Sequence, residues 1–419
     1  MPLLPAGLRA AALLSVLLAP AALASPASDL FGAVSSLLDH GYGGLSPVDR
    51  PALLAQARGE LNAACAPQGD SCPASVAYDL LKRAVAGLHD QHTYLNTPDE
   101  EAKFQQLTTG SARLQFGFSS AALPDGGRVV TDVMPDSPAE AAGLQRGDRL
   151  TSLNGAAYDH ALLAKLREQG ARIQLGVQRA GQTVELGLQA RESSGRNLPR
   201  LRWVGDTAVI RIPTFTSGGG IAQQVHDLVR VARDRAASGI VIDLRDNPGG
   251  SLFECDLAAT PFVDHIQRRM EGSDGEHVMS AEGGVWQVDG VTAAQVTTPQ
   301  RWDGPLAVLV NAHSASCSEF FALAVQGAHR GPVIGELTSG AGNTSTSSYR
   351  LPGGGALHLT RSHFARPDGQ PYPDRVQPDQ PCADNLPELA RGDDVLLALG
   401  LQAVQKTAPL AAAAPGPIH

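Results

Sequence analysis

The stretch most able to do chemistry runs Asn311-Ala312-His313-Ser314-Ala315-Ser316-Cys317-Ser318-Glu319-Phe320-Phe321. An apolar run, Leu306 to Val310, leads straight into these small residues, and a helix is expected to start near Ser316. A serine at such a junction stands above a sheet with a helix N-terminus aimed at it, where free N–H groups can stabilise an oxyanion. The same residues would also serve as a plain N-cap cluster, because serine before a helix commonly caps it. Glu319 falls in the first helical turn, where the helix dipole already favours a carboxylate, and it reads as structural. The second stretch is Asp243-Leu244-Arg245-Asp246-Asn247-Pro248-Gly249-Gly250. A strand ends there, and two glycines let the backbone approach something closely. Taken alone, it is equally an ordinary strand-ending turn.

The elements around these stretches follow from periodicity. From about 197 to 405, strands (Gly239 to Arg245, Leu306 to Val310, Pro332 to Gly335) alternate with helices (Ile221 to Ala237, and the one from Ser316). That alternation implies an α/β core, a mixed sheet flanked by helices. Residues 264–304 are polar and Gly-rich with weak periodicity, and read as an insertion or lid. Residues 25–106 form an N-terminal helical region: Leu30, Phe31, Val34, Leu37 and Leu38 recur at helical spacing, as do Val76, Leu80, Leu81, Val85 and Leu88. Leu88-His89-Asp90-Gln91-His92-Thr93-Tyr94 closes it, ahead of an Asn-Thr-Pro that stops a helix. Residues 107–190 change to short strands and Gly turns. Val129 to Val133 alternates like a strand, Ser137 can cap a helix opened by Pro138 and ended by Gly143, and Asn154-Gly155 supplies a tight turn.

The block PDSPAEAAGLQRGDRLTSLNG resembles a PDZ domain of the bacterial protease type, over about 80 residues. Such domains bind a peptide C-terminus by adding it as a strand to a sheet edge, with backbone N–H groups holding the carboxylate. By that resemblance the carboxylate site is Leu114-Gln115-Phe116-Gly117-Phe118. A purely structural or regulatory module is the other reading.

DLRDNPGG followed by VLVNAHSASCSE resembles the C-terminal processing (tail-specific) serine peptidases, the family that includes the photosystem D1 processing protease and the tricorn core. The resemblance spans the PDZ block and the C-terminal half. It implies Ser316 as nucleophile and an oxyanion hole built from the N–H of Cys317 plus that of Gly249 or Gly250. The tail-specific branch carries a lysine base in Gly-Glu-x-Thr-Phe-Gly-Lys-Gly. Here that segment is Gly335-Glu336-Leu337-Thr338-Ser339-Gly340-Ala341-Gly342, with Ala341 at the lysine position. Lys82, Lys103, Lys165 and Lys406 are the chain's lysines, all remote from this motif. A hydroxyl without a nearby base is a weak nucleophile. The tricorn-like branch instead takes a histidine from the helical region, which implies His92 as base, its near-neutral pKa suiting the task. A carboxylate near the end of the core completes that branch's site, and Asp374 in the closing segment is the candidate. The rival reading is a catalytically inactive homologue that binds protein tails as a scaffold, for which Ala341 speaks.

The remaining signals bound the function. His89, His313, His358 and His363 are scattered, no His/Cys/Asp cluster has metal-ligand spacing, and the glycines at 218–220 lack the Lys and Ser/Thr of a phosphate loop, so no cofactor is expected. The 419 residues are 43% hydrophobic and 18% charged, a globular balance, but only 5% aromatic, so aliphatic side chains must fill the core. A net charge of -9 argues against a nucleic-acid partner; the resemblances above imply peptide or protein substrates with exposed C-termini. Arg9, the apolar run Ala10 to Ala19 and Ala22-Leu23-Ala24 read as an export signal over 1–24, too short and Ala-rich for an anchor. The last residues, 406–419, read as a disordered tail. Among five cysteines, Cys65 and Cys72 could close a small loop, Cys255 and Cys382 are possible partners, and Cys317 is expected buried and unpaired.

Overall fold

A run of strands fully apolar on both faces must lie inside, covered on each side. Gly239–Asp243, apolar up to its terminal Asp243, and Leu306–Val310 are such runs, every residue buried. In the computed structural model, which describes residues 25–273 and 275–407, they are the centre of a six-stranded sheet. Its order is Arg200–Val204, Thr207–Arg211, Gly239–Asp243, Leu306–Val310, Val333–Gly335 and Gln380–Pro381. The first pair is antiparallel and every later pair parallel, which makes the sheet mixed. Helices Ile221–Asp234, Leu252–Ala259 and Cys317–Gly327 cover one face, sharing a core with Ile240, Ile242, Val308 and Val310. Helix Val395–Thr407 covers the other, over Val209, Val241, Ala307 and Leu309.

A second, seven-stranded antiparallel sheet stands beside it. Its organiser is the long strand Ala356–Ala365. Thr344–Arg350 pairs along one edge of that strand; the other edge is shared by Tyr94–Asn96 at one end and His265–Gly272 at the other. The meander continues through Gly275–Glu282, Val285–Val288 and Val291–Gln295. The segment expected to be an insertion or lid is therefore regular sheet. Its apolar residues are sparse because one face is solvated: Ile266, Met279, Ala281 and Trp286 face the core while neighbours are polar.

Helices Pro26–Gly41, Arg50–Cys65 and Ala74–Ala86 form their own core and pack it on Leu357 and Leu359 of the antiparallel sheet. Prolines at their first positions and side-chain caps from Ser25 and Asp49 start the first two. Cys65 and Cys72 are joined by a disulfide that closes the loop into the third. A fourth helix, Pro98–Thr109, carries a Thr97–Glu100 capping box and leads into the PDZ segment.

That segment folds as an antiparallel sheet ordered Phe118–Ala122, Arg128–Val133, Arg149–Leu153, Arg172–Arg179, Gln182–Gln189. Ser137 accepts from the Glu140 N–H to cap a single-turn helix, Pro138–Ala141, and Gly143 follows at φ 79. Phe118–Ala122 is an edge strand. Cys382 is not joined to Cys255: Cys255 Sγ lies 2.8 Å from Cys317 Sγ, both buried as thiols, on two neighbouring helices. Residues 1–24 and 408–419, where the export signal and most of the tail were expected, lie outside the described residues. Among the described residues no helix is long and apolar enough to cross a membrane.

Candidate active site

The parallel sheet delivers one half of the site. Strand Leu306–Val310 ends, five residues turn, and helix Cys317–Gly327 begins with Ser316 as its N-cap. Ser316 holds φ 53 and ψ -116, a conformation that side-chain-bearing residues rarely adopt. Two buried groups enforce it. Glu319 Oε2 accepts from Ser316 N (2.7 Å) and Ala341 N (2.9 Å), while its Oε1 accepts from Gly340 N (2.8 Å) and Thr338 Oγ1 (2.6 Å). Burial raises the Glu319 pKa, and these four donors act against that. Asn247 stitches the two motifs together. Its carbonyl accepts from Ala315 N (3.0 Å) and Ser318 Oγ (2.7 Å), and its side chain donates to Ile212 O (2.8 Å). Asn247 is fully buried, and sequence reasoning gave it no role; an Asn before Pro-Gly-Gly was the available signal.

Strand Gly239–Asp243 brings up the glycines. A Cβ on Gly249, whose φ is +95, would lie 2.7 Å from Ser316 Cβ and 2.8 Å from Ala315 O, so only glycine permits this approach. The Gly249 N–H is already spent on Asn247 Oδ1 (2.8 Å). The N–H groups of Gly250 and Cys317 have no acceptor among the described residues. Behind the glycine turn, Arg245 is fully buried and paired with Asp243 (2.8 Å) and Asp394 (2.7 Å). Burial alone would raise the Asp243 pKa, but Arg245 and Arg211 hold it well below the carboxylate range.

The antiparallel sheet delivers the other half. Strand Tyr94–Asn96 is pinned to Ala356–Ala365, and the turn before it carries His92. Asp90 folds that turn, accepting from His92 N (3.0 Å) and Thr93 Oγ1 (2.9 Å). His92 Nε2 lies 3.1 Å from Ser316 Oγ, across 224 residues of sequence. His92 Nδ1 lies 2.5 Å from Thr344 Oγ1. Desolvation lowers the His92 pKa below 6.5, with Asp90 pulling it up.

Asp374 does not join them. It is exposed, and its carbonyl accepts from Gly342 N (2.8 Å); no carboxylate meets the His92 ring among the described residues. The closing segment runs over the surface here, and Thr344 occupies the place expected of an acid. Ala341 is buried and contributes only its N–H, to Glu319. Of the other histidines, His358 pairs with Glu101 (2.9 Å) beneath stacked Tyr94, and His363 Nδ1 meets Gly43 O (3.2 Å).

Ser316 and His92 open into a cleft of about 770 Å³. Phe104, Leu107, Leu252, Phe320 and Phe364 make much of its wall apolar. Arg113, Gly195 and Asn197, from the segments entering and leaving the PDZ sheet, form one side. Beside the PDZ sheet, Leu114 belongs to a separate two-stranded sheet, its strand Arg113–Gln115 paired with Arg191–Ser193, and is exposed, while Phe116 is buried. Gly117 takes φ +86 at a turn where a Cβ would strike Ser137, and Phe118 opens the edge strand. The N–H groups of Phe116 and Gly117 have no acceptor among the described residues.

Two packed sheets with a serine at a strand–helix junction, and a PDZ sheet inserted ahead of them, define a class of protein. Residues 206–382 match the model of peptidase family S41 and residues 129–162 that of a PDZ domain. Over these segments the chain is similar to serine peptidases named for C-terminal processing. It is 27% identical over 292 residues to a probable CtpA-like serine protease of Staphylococcus saprophyticus, covering 68% of this chain and 55% of that one. It is 28% identical over 343 residues to the chloroplastic carboxyl-terminal-processing peptidase 2 of Arabidopsis thaliana, covering 74% and 61%. The chain thus spans little more than half the length of these curated relatives. A candidate S41 protease from Bacteroides fragilis shares the fold at a TM-score of 0.60 and 17% identity, over 89% of this chain and 97% of that one.

Proposed function

We propose that this chain is an exported serine endopeptidase that cleaves unfolded or tail-exposed proteins, with Ser316 as nucleophile and His92, in place of a lysine, as base. The observation that carries this reading is the 3.1 Å between His92 Nε2 and Ser316 Oγ. Ser316 Oγ attacks the scissile carbonyl as His92 Nε2 takes its proton. The tetrahedral oxyanion is held by the Cys317 and Gly250 N–H groups, and His92 returns the proton to the departing amine. Water then repeats the sequence on the acyl-enzyme. An apolar cleft suits the side chains that unfolded chains expose. The substrate's C-terminus adds to the Phe118–Ala122 edge, its carboxylate on the Phe116 and Gly117 N–H groups. The Cys65–Cys72 disulfide supports an oxidising compartment outside the cytoplasm, in keeping with a signal removed after Ala24.

The test is digestion of an unfolded protein with an apolar C-terminus by the mature chain and by Ser316→Ala. Cleavage by the parent alone is expected. Equal binding of the tail with no cleavage by either would instead favour an inactive scaffold.

A further inference from the structure

In a serine–histidine site the second ring nitrogen needs a partner that fixes the tautomer, because only a ring protonated on Nδ1 leaves Nε2 free to accept the serine proton. Here that position holds no carboxylate. Resting on the reading of Ser316 and His92 above, we propose that Thr344 is the positioning residue of this site: its Oγ1 accepts the Nδ1–H of His92 and fixes the ring as a base toward Ser316.

Three observations support this. The contact is the shorter of the two the ring makes, 2.5 Å against 3.1 Å, and Thr344 is 8% exposed, so water competes little for it. Thr344 Oγ1 makes no other hydrogen bond among the described residues, which leaves its lone pairs for the ring. The strand is also built to grip this turn twice. Thr346 Oγ1 donates to the His92 carbonyl (3.0 Å), so Thr344 holds the ring and Thr346 the backbone. Between them the pairing with Ala356–Ala365 shifts register, Ser345 opposing Ser362 and Thr346 opposing Thr360. Such irregularities re-aim side chains and cluster beside active sites. The work of a triad's acid is thereby divided: the hydroxyl orients the ring, and the Asp90 carboxylate, folded under the same turn, supplies the negative charge.

The experiment compares the full chain with Thr344→Val, which keeps the shape and loses the hydroxyl, and Thr344→Ser, which restores it. Peptide cleavage is followed by kcat and KM, and the His92 tautomer by ¹⁵N NMR of ring-labelled protein above the imidazole pKa. Thr344→Val is expected to lower kcat by about 10²-fold with KM little changed, within the range general-base assistance contributes. Thr344→Ser should recover most of that loss, and the Nδ1–H form of the parent should become a mixture in Thr344→Val. A parent ring protonated on Nε2, or a Thr344→Val variant with unchanged tautomer and kcat, overturns the proposal. If the parent cleaves nothing, the reading of the site fails, while the tautomer measurement still decides the role of Thr344.

Discussion

His92 sits where desolvation disfavours its charged form, so its pKa falls below 6.5, with Asp90 acting in the opposite direction. A base works only when deprotonated. Activity should therefore be lost as pH drops through that lowered value, placing the acid limb of kcat/KM below the ordinary imidazole range. Asp90→Asn retains an oxygen for the His92 N–H but removes the charge that favours imidazolium. Its limb should move to still lower pH, and a limb that stays put or moves upward would show that Asp90 does not face the base. Ser316 was legible at this scale because its signal is local: small residues between a buried strand and a helix. Thr344 was not, because nothing marks a threonine in Thr-Ser-Thr-Ser-Ser as special until the fold brings it to a ring 252 residues away.

Among the elements, the Asp243–Gly250 turn and the N-terminus of helix Cys317–Gly327 meet so closely that neither can change alone. Gly249→Ala would place a methyl group 2.7 Å from Ser316 Cβ at a φ of +95, where a side chain is already strained. The expected cost is about 1–3 kcal/mol of stability, with loss of cleavage beyond what the lowered melting temperature explains. Full activity in this variant would mean that the close approach is not needed. The strand–helix alternation of the core was readable because buried parallel strands are uniformly apolar. The meander at 265–295 was not, because a half-solvated ribbon gives weak alternation, and the partner that stabilises it, Ala356–Ala365, lies 60 residues and more downstream in sequence.

At the scale of the whole molecule, the PDZ sheet is tied to the core by charge as well as by its two connections. Arg146 Nε donates to Asp394 Oδ2 (3.0 Å), and Arg200 of the core pairs with Asp132. Asp394 also pairs with Arg245, which with burial working against it settles its pKa at about 2. Leu123 and Val129 add an apolar contact with Leu389. Arg146→Ala should loosen this docking by about 1–3 kcal/mol, as expected for a charge-assisted bond. Proteolytic nicking in the connections near 110 and 195 should become faster, while a small acylating reagent still reaches Ser316 unhindered. No change in nicking would place the docking energy elsewhere. The motifs announced both domains, but not how they dock, since isolated arginines and aspartates carry no signature of their partners.

The central claim is that Ser316 is a nucleophile activated by His92, and covalent trapping tests it most directly. The protein is treated with a fluorophosphonate and the adduct mapped by peptide mass, in parallel with His92→Ala. One adduct is expected, on the peptide bearing Ser316, forming about 10²–10⁴-fold more slowly without His92. No adduct, an adduct on another residue, or an equal rate in the His92→Ala chain would contradict it.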